Sequence, residues 1–167
     1  MNKIQICAAA LLLSVLCRFG AALDIPKNAS IALLTLPDGS KVEAGVASTP
    51  QLKALGLTFR NDLPDDRGML FVFTDAGSKT IRMKNVFISL DIVFLDADMR
   101  ITNIYNHVPH SGPDQPEDEI AKVSAPASFV LELAAGKAMK SGLKPGYKIK
   151  VMFPAPKKKG APAPPRK

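Results

Sequence analysis

The sequence predicts a mainly β domain, a small antiparallel β-barrel or sandwich with two short helical insertions. Short apolar runs recur along the chain, each bounded by Gly, Pro, Asp or Ser, which is the pattern of brief strands joined by turns. Only two stretches carry helix start and stop signals. The length of 167 residues fits a single core.

Taken in order, residues 31–36 and 41–47 flank Pro37-Asp38-Gly39, a hairpin turn in which proline presets one dihedral and glycine accepts a positive φ. Thr49 and Pro50 open a short helix over 51–55 as its cap and first-turn proline, and Gly56 ends it. Residues 69–73 read as a strand entered from the turn at 65–68. Strands follow at 80–84 and 86–95, the second apolar on both faces and therefore expected inside the sheet. Asp96-Ala97-Asp98 turns the chain into residues 100–107, expected to pair antiparallel with it. Residues 107–127 hold four prolines and an acidic run and read as a long loop. A strand at 128–133, a helix of one or two turns at 135–141 ended by Gly142, and a strand at 147–151 complete the domain.

The two ends differ in kind. Residues 1–22 have the form of a secretory signal: Lys3, an apolar run over 4–16, then small residues Gly20-Ala21-Ala22, placing the mature start near Leu23. That run is too short for a membrane span, which takes about 20 residues, so no integral membrane protein is expected. Leu16 before Cys17 argues against a lipidated cysteine. Cys7 and Cys17 both fall in the leader, which leaves residues 23–153 without thiols for disulfides, metal ligation or nucleophilic attack. Residues 154–167 are Pro, Ala, Lys and Gly almost throughout, a composition expected to remain disordered.

The net charge of +7 belongs to these ends. Of 22 Lys and Arg, Lys3 and Arg18 lie in the leader and Lys157, Lys158, Lys159, Arg166 and Lys167 in the tail, leaving 15 against 15 acidic residues in the domain. A nucleic-acid partner is not expected. The tail could make weak contact with an anionic envelope surface.

Three segments then match a known pattern in order: Gly56-Leu57-Thr58-Phe59-Arg60 with Leu63-Pro64 and residues 68–73; Met83-Lys84-Asn85 leading into residues 90–96; and Val130-Leu131-Glu132-Leu133 with Gly136 and Gly142. The chain resembles the bacterial family called domain of unknown function 192 over about residues 29–151. That resemblance implies a compact β-rich barrel-like sandwich and frequent export, and no reaction. The sequence departs from the pattern at Arg82, where an aromatic residue is usual, at Val86 and Ser89, and at Tyr147. A pocket formed by that element would have a different wall.

Asp91 is the most informative residue, because a carboxylate within a doubly apolar strand is costly to bury unless paired or hydrogen-bonded. Arg60, Arg82 and Lys84 are the candidate cations and Asn85 a candidate amide donor. Either they form a pocket for a small polar or anionic ligand, or Asp91 joins a structural ion pair. Glu132 poses the same problem in residues 130–133: it faces solvent or joins the same cluster, and two converging carboxylates would permit acid/base chemistry. Asp96 and Asp98 suit a turn. His107 and His110 form a His-x-x-His element, but Pro109 between them rules out a shared helix face, so no metal is expected. Gly-x-Ser-x-Gly, His-Glu-x-x-His, phosphate-loop and dinucleotide motifs are absent, and no cofactor is expected.

The expectation is therefore an exported, non-catalytic binding or accessory module of the periplasm or cell envelope, with a small polar ligand or an envelope protein as partner. The alternatives are an enzyme of unknown specificity built around Lys84, Asn85 and Asp91, and an interaction protein working through a sheet edge or apolar patch.

Overall fold

Alternating buried and exposed residues along Ile31–Thr35 (β1) and Lys41–Ala47 (β2) pair the two strands antiparallel, closed by a turn in which Gly39 adopts φ 84°. Helix α1, Pro50–Leu55, starts where its cap was expected: the Leu52 N–H donates to Thr49 Oγ1 at 3.2 Å. Beyond α1 the chain returns as β3, Arg67–Val72, alongside β2 and parallel to it. A tight turn cannot join parallel neighbours, and the α1 segment supplies the crossover.

Strands β4 (Ser78–Arg82), β5 (Leu90–Leu95), β6 (Ile101–Val108), β7 (Lys122–Pro126) and β8 (Phe129–Ala134) follow, then helix α2 (Lys137–Lys140) and β9 (Lys150–Met152). Seven strands form one curled half-barrel sheet in the order β6-β5-β8-β3-β2-β1-β9, in which all neighbours except β2 and β3 run antiparallel; β4 and β7 make a second, small sheet. The structure is a computed structural model that describes residues 23–154. The expected signal peptide at 1–22 and the expected tail beyond residue 154 lie outside the described residues.

The sheet has a core on each side. Val93, Leu95, Leu131, Leu133, Leu70 and Leu34 face one cluster, while Leu90, Ile92, Phe94, Val130 and Phe71 face the other, which the small sheet covers with Ile81 and Ala125. Burial on both faces explains why β5 reads as a continuous apolar run, and it lies inside the sheet between β6 and β8.

Two expectations need correction. Residues 107–127 are not one loop, because β7 lies within them and pairs with β4 from Ser78↔Pro126 to Arg82↔Lys122. Its alternation spans only Val123 and Ala125, and Pro126 sits at its last position, where a strand tolerates it. The strand expected at 86–95 begins only at Leu90. Before it, Asn85 takes φ 57°, the Val86 N–H donates to Met83 O, and the chain turns.

Gly68 sits where β3 and β8 approach too closely for a side chain. A Cβ there would lie 2.7 Å from the backbone oxygen of Glu132. Gly68→Ala is expected to destabilise the protein by about 1–3 kcal/mol, the usual range for overpacking, measured as a lower urea midpoint. An unchanged midpoint would mean that the two strands part without cost.

Candidate functional site

Strand periodicity decides where the two buried carboxyl groups point. Asp91 of β5 pairs with Leu133 of β8, and Ile92 pairs with Glu132. Paired residues share a face, so Asp91 points into the core of Leu131 and Leu133, and Glu132 points to the opposite side with Ile92. The two acids do not converge.

Asp91 is fully buried, and its partners are backbone amides instead of the cations expected. Oδ1 accepts from the His107 N–H at 2.9 Å, and Oδ2 accepts from the Ala138 N–H at 2.8 Å. Helix α2 has Gly136 as its cap residue, which offers no side-chain oxygen, and Asp91 takes over that service from the neighbouring strand. The same carboxylate holds His107 in a left-handed conformation, φ 50°, beside the irregular pairing of β5 with β6. The His107 ring is largely exposed, with Nδ1 3.9 Å from Asp91 Oδ1. These contacts give Asp91 a structural task, capping α2 and fixing the backbone at residue 107.

Glu132 is the contrasting case. It is 5% exposed, and its Oε2 has no hydrogen-bond partner among the described residues. Burial alone pushes its pKa up to about 8 from an ordinary 4.5. It forms part of the wall of a cavity of about 260 Å³ between α1 and the segment from β4 to Val86. Leu57, Phe71, Ile81 and Val86 contribute apolar surface; Thr58 and Thr80 bring hydroxyls; Lys53, Arg82 and Lys84 bring positive charge.

Local structure explains the wall. Gly56 ends α1 with φ 48° and lies against the Phe71 ring, so the turn Leu55-Gly56-Leu57 crosses directly over β3. Phe59 (φ 61°) donates its N–H to the carbonyl of Asn85 at 2.8 Å, and its ring meets Phe87 edge-on with centroids 5.9 Å apart. That clasp joins the segment after α1 to the turn after β4. The buried Ser111 hydroxyl donates to Met83 O, and its N–H donates to Val86 O at 2.9 Å, which anchors the turn from the other side. Helix α1 itself buries no residue, and Leu52 and Leu55 are exposed along it.

The sequence-predicted candidates therefore separate. Lys84 and Glu132 line the cavity, Asn85 shapes its turn through its backbone, and Asp91 belongs to the other core. Arg60 lines a different groove of about 460 Å³ with Asp62, Leu63 and Arg67. That groove is larger, but Arg67 is already paired with Glu43 and no buried unpartnered group faces it. Arg82 and Lys84 both bind Glu117, whose carboxyl is held below its usual range by the Lys84 hydrogen bond first and the Arg82 hydrogen bond second. These pairs are exposed, so Glu117→Gln is expected to leave thermal stability almost unchanged; a large drop in Tm would show that they brace the fold. Lys53, with Nζ 4.6 Å from the Phe73 ring centroid, was not singled out from the sequence, nor were Thr58 and Thr80. Thr58 sits within the Gly56–Arg60 motif, a weak signal; Lys53 carried none.

Other polar groups are satisfied locally. The mostly buried Lys137 donates to Ser40 Oγ at 3.3 Å, and Ser40 in turn donates to Asp38 from both N–H and hydroxyl, docking the β1–β2 turn on α2. Among the described residues no group of three or more His, Cys, Asp or Glu is placed to hold a metal ion, and no helix is long and apolar enough to cross a membrane.

Residues 33–151 match the family model of domain of unknown function 192, described as an uncharacterised ACR. No protein with a curated description matches the chain. Among solved structures it is similar to a Sinorhizobium meliloti 1021 protein described as a candidate transcription regulator, at 28% identity and a TM-score of 0.62, covering 77% of this chain and 97% of that one. It is also similar to a Novosphingobium aromaticivorans DSM 12444 protein of unknown function, at 31% identity and a TM-score of 0.58, covering 72% of this chain and 83% of that one.

Proposed function

The chain belongs to the domain of unknown function 192 family, and on that premise we propose that it is an exported, non-catalytic binding module of the periplasm or cell envelope whose ligand is a small polar molecule. The observation that carries the binding role is Glu132: a buried carboxyl in the wall of a cavity, with one oxygen that has no partner among the described residues. Leaving a buried polar atom unpaired costs about 1–3 kcal/mol, and a ligand that hydrogen-bonds to it recovers that cost. The leader-like sequence of residues 1–22 supports export.

Binding is favoured over catalysis by what surrounds the acid. A single carboxyl with a raised pKa suits a general acid, but among the described residues the lining adds no second carboxylate, histidine or thiol to complete a catalytic set. The alternative enzyme reading therefore rests on Glu132 and not on Asp91. The regulator description of the Sinorhizobium protein is not carried over, because residues 23–153 are formally neutral.

A thermal-shift screen of the full chain against small acids, sugars, nucleotides and metals tests this reading. The expected result is a rise in Tm that grows with ligand concentration and disappears in Glu132→Ala. Catalytic turnover lost on Glu132→Gln would replace the binding module with an enzyme. Fractionation of cells expressing the full chain tests export, with a processed product starting near Leu23 as the expected outcome.

A further inference from the structure

The lining of the same cavity sets the chemistry of its ligand, an assignment that rests on the binding role proposed for the Glu132 site. Among the described residues three cations, Lys53, Arg82 and Lys84, stand around the space, and Glu132 is the only acid in its lining. Glu117, bound to Arg82 and Lys84 at the edge, offsets one of the three charges. The remaining field is positive and attracts an anion. The strands on either side of Glu132 add no charge, since its cross-strand neighbours are Met69 and Ile92.

Size and polarity narrow the choice. A volume of about 260 Å³ lies below the range of about 300–1,000 Å³ typical of sites for drug-sized ligands. The walls formed by Leu57, Phe71, Ile81 and Val86 favour an apolar body over a bare inorganic ion. An ammonium ligand would suit an ionised Glu132 but would meet the three cations.

We propose that the cavity takes a small carboxylate with a short apolar body, and that Glu132, as a neutral acid, donates a hydrogen bond to that carboxylate, coupling capture to retention of the Glu132 proton. An O–H···O⁻ bond is among the stronger hydrogen bonds, and here it satisfies a polar group that otherwise has no partner. Burial keeps the acid protonated at neutral pH, since its pKa stands at about 8. Ligand affinity is then level below that value and falls up to tenfold for each pH unit above it.

Calorimetric titration of the full chain with butyrate and benzoate from pH 6 to pH 10 tests this, with butyramide and inorganic phosphate as comparison ligands. The expected result is binding of both carboxylates, at least tenfold weaker binding of butyramide, none of phosphate, and loss of affinity above about pH 8. Glu132→Gln retains an N–H donor, so it keeps binding and loses the pH dependence. Lys84→Ala weakens binding several-fold and reduces its salt sensitivity. Equal binding of butyramide and butyrate, a flat pH profile in the wild type, or a preference for phosphate overturns the carboxylate assignment while leaving the binding module standing. If none of the four ligands binds, the carboxylate assignment falls; if the broader screen also finds no ligand, the binding module falls with it. Should Glu132→Gln fail to fold, the wild-type pH profile and the butyramide comparison decide the matter without it.

Discussion

Glu132→Gln is expected to make the protein more stable in alkali, by up to about 5 kcal/mol at pH 9, while changing its stability by only about 1 kcal/mol at pH 5. Between an unfolded pKa of 4.5 and a folded pKa of about 8, the native state holds a proton that the unfolded chain releases. Native protein therefore binds more protons in that window, and wild-type stability falls as pH rises through it. Below the window both states are protonated, and above it both are ionised with the full penalty in place. Each tenfold gap in proton affinity is worth about 1.4 kcal/mol, which sets the size of the effect. Glutamine does not titrate, so subtracting the two stability curves isolates this one group from every other acid in the chain. Urea denaturation at pH 5, 7 and 9 measures the difference, with unchanged slopes required for the comparison. Parallel curves would mean that Glu132 ionises freely in the native state, and both the neutral acid and its coupling to a ligand would be lost.

Asp91→Ala is expected to be the most damaging single substitution on the other face, costing about 3 kcal/mol or more. It removes the acceptor of the buried Ala138 N–H and of the part-buried His107 N–H, and an unsatisfied buried donor costs about 1–3 kcal/mol beyond the lost carboxylate bonds. Asp91→Asn is expected to fall between wild type and alanine, because its oxygen keeps one bond while its NH₂ confronts the other N–H. Hydrogen exchange should locate the damage in α2 and at residue 107, ahead of the rest of the sheet. Ligand affinity at the Glu132 cavity, measured where the variant remains folded, should be unchanged, since Asp91 faces the opposite core. A lost ligand site with intact α2 protection would return Asp91 to the functional site and contradict its structural role.

The local devices of the fold were legible in the residues. Thr49, Pro50 and Gly56 bound a helix whose cap can be read directly, and Pro37-Asp38-Gly39 closes the hairpin it predicts. The doubly apolar run of β5 marked an interior strand because burial on two faces leaves no room for alternation. Less was visible where signals were short or non-local. β7 was hidden by brevity and a terminal proline, and the parallel pairing of β2 with β3 depends on where the chain returns after α1.

What the sequence determined by itself was most of the segments that become strands, β7 excepted, that two of them carry a costly acid, and that chemistry should be sought there. Tertiary structure alone decided what each acid does. Asp91 and Glu132 lie 41 positions apart, and their relation is set by the register of β5 on β8, where Asp91 meets Leu133 and Ile92 meets Glu132. Because side chains alternate with period two, that one-step offset sends the carboxyls to opposite sides of the sheet. One side offers Asp91 two backbone donors; the other leaves Glu132 unpartnered before a cavity ringed by cations. Linear spacing contains neither outcome, because pairing register is a contact between distant segments and is chosen by the packing of both cores at once.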